Sequence, residues 1–379
     1  MIPYGMQDIN QDDIDAVHSV LAGTHLTQGD KVPEFEKVIS DLVSAQHAVA
    51  VNSATSALHI ACLSLGVGKG DLVWTSPISF VASSNCALYC GAQVDFVDID
   101  YYTSNMCVSA LQAKLEHHRA NNLPMPKVVI PVHMAGYSCD MQGIKRLADE
   151  YAFYVIEDAS HAIGAQYQNH AVGCCEFSDI TVFSFHPVKI ITTAEGGMAT
   201  TNHAKYAETM RLLRSHGVEK NDKIQQQGGW CYEQSMLGFN YRMTDIQAAL
   251  GVSQSKRLGQ FINRRQECAK RYFEYLQNLP IELPPLEAIT ISSWHLFVIK
   301  ILNKDRRDIF EALRKERIGV HVHYIPIYKQ PYYQRLGFSE NYCPQAERYY
   351  ASALSIPIFH AMTNDQQDEV IEKIAEVLV

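Results

Sequence analysis

Apolar runs recur through the first half of the chain with helix-like stretches between them, and this alternation constrains the fold more than any other feature. The runs are AVAVNS (48–53), DLVWTSP (71–77), QVDFVDI (93–99), KVVIPVH (127–133), FYVIEDAS (153–160), DITVFSF (179–185) and MATTN (198–202). ATSALHIACLSLG, SFVASSNCALYCG, VSALQAKLEHHRA and DMQGIKRLADEYA lie between several of them with helical patterning. Strands that are apolar along nearly their whole length are buried on both faces, so the pattern predicts an α/β fold with a mostly parallel sheet covered by helices. In such sheets, ligands sit at the carboxyl ends of the strands.

The pattern changes at Thr244, where a long helical run, TDIQAALGVSQSKRLGQFINRRQECAKRYFEYLQNL, leads to a Pro-rich break, PIELPPLE (280–287). A strand (SWHLFVIKI), a helix (DRRDIFEALRKERI), a second strand (GVHVHYIPI) and a terminal helix (NDQQDEVIEKIAEVLV) follow. We therefore expect a large domain over 1–245 with an N-terminal arm, and over 246–379 a long linking helix with a smaller α+β domain. A length of 379 residues suits such a pair of cores.

Composition narrows the function classes. A formal net charge of −9 with no Lys/Arg cluster argues against a nucleic-acid partner. The ten cysteines are scattered and form no CxxC pair, which reads as free thiols in a reducing compartment. MIPYGMQDINQDD lacks the basic start and apolar core of a secretory leader, and no apolar run approaches a membrane span, so a soluble cytoplasmic protein is expected. His321 and His323 in VHVHY are read as facing opposite sides of an expected strand, and Cys174 and Cys175 are simply adjacent; no metal site is expected.

The chemistry gathers at strand ends. NSATSALH (52–59) puts Ser53, Ala54 and Thr55 where a strand turns into a helix, so free N–H groups and a hydroxyl converge; this suits a phosphate, or is an ordinary helix cap. IEDASHA (156–162) ends an apolar strand in Glu157 and Asp158, one of which must face inward, unless the pair merely caps the next helix. One strand later, FSFHPVKIITTAEGG (183–197) holds Lys189 among apolar residues. A lysine in a partly dry pocket loses protonation and becomes nucleophilic, able to form a Schiff base. A phosphate corner, an acid and an amine together match pyridoxal 5′-phosphate (PLP), which has a phosphate tail, a ring nitrogen and an aldehyde.

The chain also resembles the DegT/DnrJ/EryC1/StrS sugar aminotransferases, which have the PLP fold-type I architecture. The resemblance runs from LTQGDKVPEFE (26–36) through NSATSALH, SPISFVASSNCALYCGAQVDFVDID, IEDASHAIGAQY, FSFHPVKIITTAEGG, LRSHG and NYRMTDIQAALG to VHYIPIY (322–328). It implies that Lys189 forms the Schiff base and moves the proton, and that Asp158 pairs with the ring nitrogen. Phe80 would stack on the ring, Ala54, Thr55 and Ser184 would hold the phosphate, and His161, where the family often has Gln, would lie at the ring-hydroxyl edge. Asn240 would reach the phosphate from the other subunit of a homodimer, and Thr27, His186, His323 and Tyr324 would contact substrate.

Within the family, SFHPVKIITTAEGG and TSPISFVAS are most similar to the enzymes that aminate UDP-4-keto-6-deoxy-L-N-acetylaltrosamine with L-glutamate in pseudaminic acid synthesis. Three readings compete with that one. A UDP-4-amino-4-deoxy-L-arabinose enzyme would share the FHxxK arrangement. A PLP sugar dehydratase of the same fold would carry His where Lys189 stands. A non-catalytic sugar-nucleotide binder would have no use for a reactive amine.

Overall fold

The computed structural model describes residues 1–219, 222–226, 228–286 and 289–378. Its centre is a seven-stranded sheet built from β1 (His47–Val51), β2 (Leu72–Thr75), β3 (Gln93–Phe96), β4 (Val128–Ile130), β5 (Tyr154–Asp158), β8 (Ile180–Ser184) and β9 (Gly197–Thr201). The short pair β6 (Gln166–Tyr167) and β7 (His170–Ala171) lies in a separate small sheet. The order across the large sheet is β1-β9-β8-β5-β4-β2-β3, and only β9 runs against its neighbours. The mostly parallel α/β sheet expected from the alternating runs is therefore present.

Burial on both faces is visible residue by residue. In β1, Val49 and Val51 join the core on one side of the sheet while Ala48 and Ala50 join the core on the other. In β8, Ile180 and Val182 face the first side and Phe183 the second. The period of two along a strand divides a continuous apolar run between two cores in this way.

Helices α1 (Gln11–Leu21), α2 (Lys31–Val43), α3 (Ala54–Ser64), α4 (Ala82–Tyr89), α5 (Val108–Ala120), α6 (Met141–Tyr151) and α7 (Ala204–Leu213) pack around this sheet and its flanks. The C-terminal part contains a three-stranded antiparallel sheet, Ile281–Glu282, Phe297–Ile301 and Ala353–Ile356, with helices Arg306–Lys315 and Asn364–Leu378. The Pro-rich stretch at 280–287 enters this sheet through Ile281–Glu282 and then leaves regular structure; its last position, 287, lies outside the described residues.

Two expectations differ from the structure. The helical run after Thr244 is two helices, Asp245–Ser255 and Leu258–Leu276, parted at Lys256–Arg257. At that break Arg257 bonds Asp8 and the fully buried Asp13 carboxylate, which also accepts from Gln254. An unpaired buried Asp13 would be costly, and the break is what lets a cation reach it. The segment GVHVHYIPI is not a strand. Only His321 pairs, with Ser355, before the chain leaves the sheet edge and ends in a short 3-10 turn, Ile327–Lys329. Pro326, which has no N–H to give a ladder, lies just before that turn.

The extreme N-terminus docks on the C-terminal part. Ile2 donates to the Arg317 carbonyl and accepts from Gly319 N–H, and the Tyr4 carbonyl accepts from Ile358 N–H. None of the described helices is long and apolar enough to cross a membrane.

Candidate active site

A cavity of about 520 Å³ opens at the carboxyl ends of β1, β5 and β8, within the usual size of a small-molecule site. Ala54, Thr55, Phe80, Asp158, His161, Ser184, His186, Lys189, His323 and Tyr324 all line it, so ten of the residues singled out from the sequence meet in one place.

One wall is the start of α3. Ser53 caps the helix by accepting from Ser56 N–H at 3.2 Å, which leaves the first-turn N–H groups beyond it without helical partners. Gly197, at the start of β9, pairs with both Val51 and Ser184 and so sits between the two strand ends. A Cβ there would stand 2.4 Å from the Ser53 carbonyl carbon and 2.5 Å from Ala54 N, so only glycine lets the helix start come down onto the sheet. The result is an anion cradle of main-chain N–H groups beside the Ser184 hydroxyl.

The two acids ending β5 part company because successive side chains point to opposite faces. Asp158 faces the cavity. Its Oδ1 accepts from Ser160 N–H (3.1 Å) and Ser160 Oγ (2.6 Å), and its Oδ2 accepts from Ser83 Oγ (2.6 Å). Glu157 faces the interior, where it accepts from Thr181 Oγ1 (2.9 Å), Ser178 Oγ and His133 Nε2 (2.7 Å). Burial works against its charge, but these donors hold its carboxyl below the usual range. Cys139 N–H lies 3.1 Å from Nδ1 of the His133 ring, whose Nε2 faces Glu157.

Lys189 lies in the turn after β8, its N–H bonded to the His186 carbonyl at 2.8 Å. Burial pulls its amine down to about 8, and the Asp158 carboxylate resists part of that fall. His161, His295 and His323 around it are also pushed down, by burial first and then by neighbouring positive groups, with His323 near 3. At neutral pH these three imidazoles are therefore uncharged beside the Lys189 amine. Phe80 offers an aromatic ring that is 61% exposed in the lining.

Thr27 and Asn240 are not part of this cavity's lining; both are exposed, Thr27 between α1 and α2, and Asn240 with its main chain bridged to Ser215. His321 and His323 do not face opposite sides. Their rings stack at 4.6 Å and 27°, Tyr4 packs on them at 5.5 and 5.3 Å, and all three line the cavity. The expectation misjudged the period: residues two apart share a side of an extended chain, so the spacing itself brings the two rings together. The sequence reading missed Tyr4, Ser83, Ser160, His295 and His321. Ser160 was the one with a local signal, two residues after Asp158, a spacing at which such side chains form Asx-type turns.

The anion cradle, the hydroxyl-clamped acid and the half-buried amine fit PLP, since each meets one of its three functional groups. Residues 7–375 match the DegT/DnrJ/EryC1/StrS aminotransferase family. Spore coat polysaccharide biosynthesis protein SpsC of Bacillus subtilis is 38% identical over 100% of this chain and 97% of its own. The UDP-4-amino-4,6-dideoxy-N-acetyl-beta-L-altrosamine transaminase of Campylobacter jejuni is 37% identical over 96% of this chain and 93% of its own. Among solved structures, Helicobacter pylori PseC, an aminotransferase involved in the biosynthesis of pseudoaminic acid, superposes with a TM-score of 0.91 at 32% identity, covering 100% of this chain and 99% of that one. The PLP form of the putative sugar aminotransferase Spr1654 from Streptococcus pneumoniae superposes with a TM-score of 0.91 at 27% identity, covering 99% and 98%. The chain thus belongs to the DegT/DnrJ/EryC1/StrS aminotransferase family and is a PLP-dependent sugar aminotransferase of fold-type I.

Proposed function

We propose that this protein moves the amino group of L-glutamate to C4 of UDP-4-keto-6-deoxy-L-AltNAc in pseudaminic acid biosynthesis. The observation that carries the choice of sugar is the 37% identity, over nearly the whole chain, to a transaminase named for the corresponding amino sugar. The lining supports a sugar substrate too. It contains no arginine among the described residues, so it is not built as a double carboxylate clamp, and the neutral imidazoles of His161, His295 and His323, with its tyrosines, suit hydroxyl groups.

Lys189 is the proposed proton carrier, Asp158 the partner of the cofactor's ring nitrogen, and Phe80 the surface beneath the ring. Ala54, Thr55 and Ser184 would hold the phosphate, His161 would lie near the ring-hydroxyl edge, and His186, His323 and Tyr324 would contact the substrate. Thr27 would have to act from outside the cavity of its own chain. PLP, when bound, supplies an electron sink that lets the C–H bond beside the nitrogen be broken and remade. The chain's part is to lower the Lys189 amine to about 8, so that it can give up and take back a proton near that carbon, and to keep Asp158 oriented through Ser83 and Ser160. The large unit of this reading spans 1–245 and the small one 246–379, with the cavity roofed by the second.

The test offers purified protein a panel of UDP-4-keto sugars with L-glutamate. The altrosamine product and parallel double-reciprocal lines are expected, because one cavity must admit the two substrates in turn. Preferred formation of UDP-4-amino-4-deoxy-L-arabinose, or of a different amino sugar, would replace the assigned substrate; SpsC, at 38% identity, is named for spore coat polysaccharide biosynthesis. Loss of water from the sugar without amination would favour the dehydratase, which Lys189 argues against, and binding without turnover the non-catalytic binder.

We also propose a homodimer in which Asn240 completes the partner's phosphate cradle, since Asn240 is exposed and lies outside its own cavity. Mixing inactive Lys189→Ala with inactive Asn240→Asp subunits should then restore part of the activity, because one site of each mixed dimer regains both native residues. Mixed dimers confirmed by mass but devoid of activity would sink the shared site.

A further inference from the structure

A short chain of hydrogen bonds at the back of the cavity has a direction that the main chain sets. After β4 the turn Met134–Gly136 places Ala135 in the left-handed region (φ 60°), a conformation that costs energy for a residue with a Cβ. From there its N–H donates to His161 Nδ1 at 3.3 Å. The turn is pressed against His161: a Cβ on Gly136 would stand 2.3 Å from Ser293 Oγ and 2.9 Å from the His161 carbonyl oxygen, and Ser293 Oγ itself donates to that carbonyl at 2.9 Å. The His295 ring packs on the His161 ring at 4.4 Å between centroids.

A ring nitrogen that accepts a hydrogen bond carries no proton. Nδ1 of His161 is therefore bare, and its neutral ring keeps its proton on Nε2. Nε2 lies 3.2 Å from the Tyr324 oxygen, so the imidazole donates and the phenol accepts. The phenol's own proton has no other use inside the protein, because His161 is the hydrogen-bond partner of this hydroxyl among the described residues, and Tyr324 lines the cavity.

We propose that Tyr324 donates a hydrogen bond to an acceptor oxygen of the bound ligand, and that His161, held in one tautomer by Ala135 N–H, is the positioning residue that makes it a donor. The acceptor is either the ring oxygen of the cofactor or the carbonyl of the keto sugar. The second source rests on the sugar proposed above, whereas the first needs only the cofactor. Glutamine at position 161 would serve equally, accepting from Ala135 N–H through its oxygen and donating to Tyr324 through its nitrogen, while leucine would do neither.

Two experiments decide it. Protein labelled with ¹⁵N-histidine and freed of cofactor should show His161, assigned by its loss in His161→Gln, as neutral with the proton on Nε2; a proton on Nδ1, or a charged ring at neutral pH, overturns the proposal. In the second, Tyr324→Phe, His161→Leu and the double variant are compared. Each single change should cost about tenfold, the double no more than either alone, and His161→Gln should recover most of what leucine loses. Affinity for PLP titrated into the cofactor-free protein reads the ring oxygen, and kcat/KM for the keto sugar at saturating PLP reads the carbonyl. Losses that add, glutamine no better than leucine, or Tyr324→Phe unchanged in both readouts would each refute it. The labelling and PLP titration involve no sugar, so a wrong sugar assignment leaves them standing.

Discussion

Lys189→Ala is expected to lose turnover by roughly 10⁴-fold or more, since a proton carrier and the covalent anchor disappear together. It should still fold and hold PLP through the α3 cradle and Asp158. With its amine pulled down to about 8, Lys189 is unprotonated in about one molecule in ten at pH 7, against roughly one in three thousand for an ordinary lysine. Borohydride trapping of PLP on Lys189 should therefore quicken as pH rises toward 8 and level off above it. Between that value and the ordinary lysine range the unfolded chain binds the extra proton, so stability gains with pH there, and below it the charged amine is a burden on the fold. The alanine variant sheds that burden and should be no less stable than the parent in thermal melts at pH 7. A peptide map that puts the label on another lysine, such as Lys205, or measurable turnover by Lys189→Ala, would remove the assigned role.

Asp158→Ala is expected to cost roughly 10³-fold in kcat/KM, on the scale of losing a buried charge that acts in the transition state. Two effects combine. The ring nitrogen loses its anionic partner, and Ser83 and Ser160 lose the oxygen atoms they bond at 2.6 Å. Asp158→Asn separates them, because it keeps the shape and one acceptor while removing the charge. If charge is what matters, Asn should be nearly as inactive as Ala yet melt close to the parent. An Asn variant with near-parental turnover would show that Asp158 only organises the two serines.

The elements legible in the sequence are those whose signal is local. A run such as AVAVNS can be recognised as a two-faced strand because its neighbours in the chain show the period, and the structure divides Val49 and Val51 from Ala48 and Ala50 accordingly. Lys189 and Asp158 stood out because charge is costly among apolar residues. The residues that escaped notice owe their positions to distant partners. Tyr4 reaches the cavity because Ile2 pairs with the segment 317–319 and its own carbonyl accepts from Ile358 N–H. Ser83 matters through a carboxylate 75 positions away, and the break at Lys256–Arg257 answers to acids at 8 and 13. His321 and His323 were expected apart only through a misjudged period, since positions two apart share a side of an extended chain.

The docking of the N-terminus bears on how the protein is made. Residues 1–13 leave the ribosome well before Arg257 and Gly319, which hold Asp8, Asp13 and Ile2. Contacts so far apart in the chain repay their loop-closure entropy only once both ends exist. The nascent chain can assemble β1 to β9 while its first residues wait unpaired. The cavity gains its Tyr4 wall only when synthesis has passed residue 319, so a prematurely terminated chain carries Lys189 and Asp158 in a half-built site.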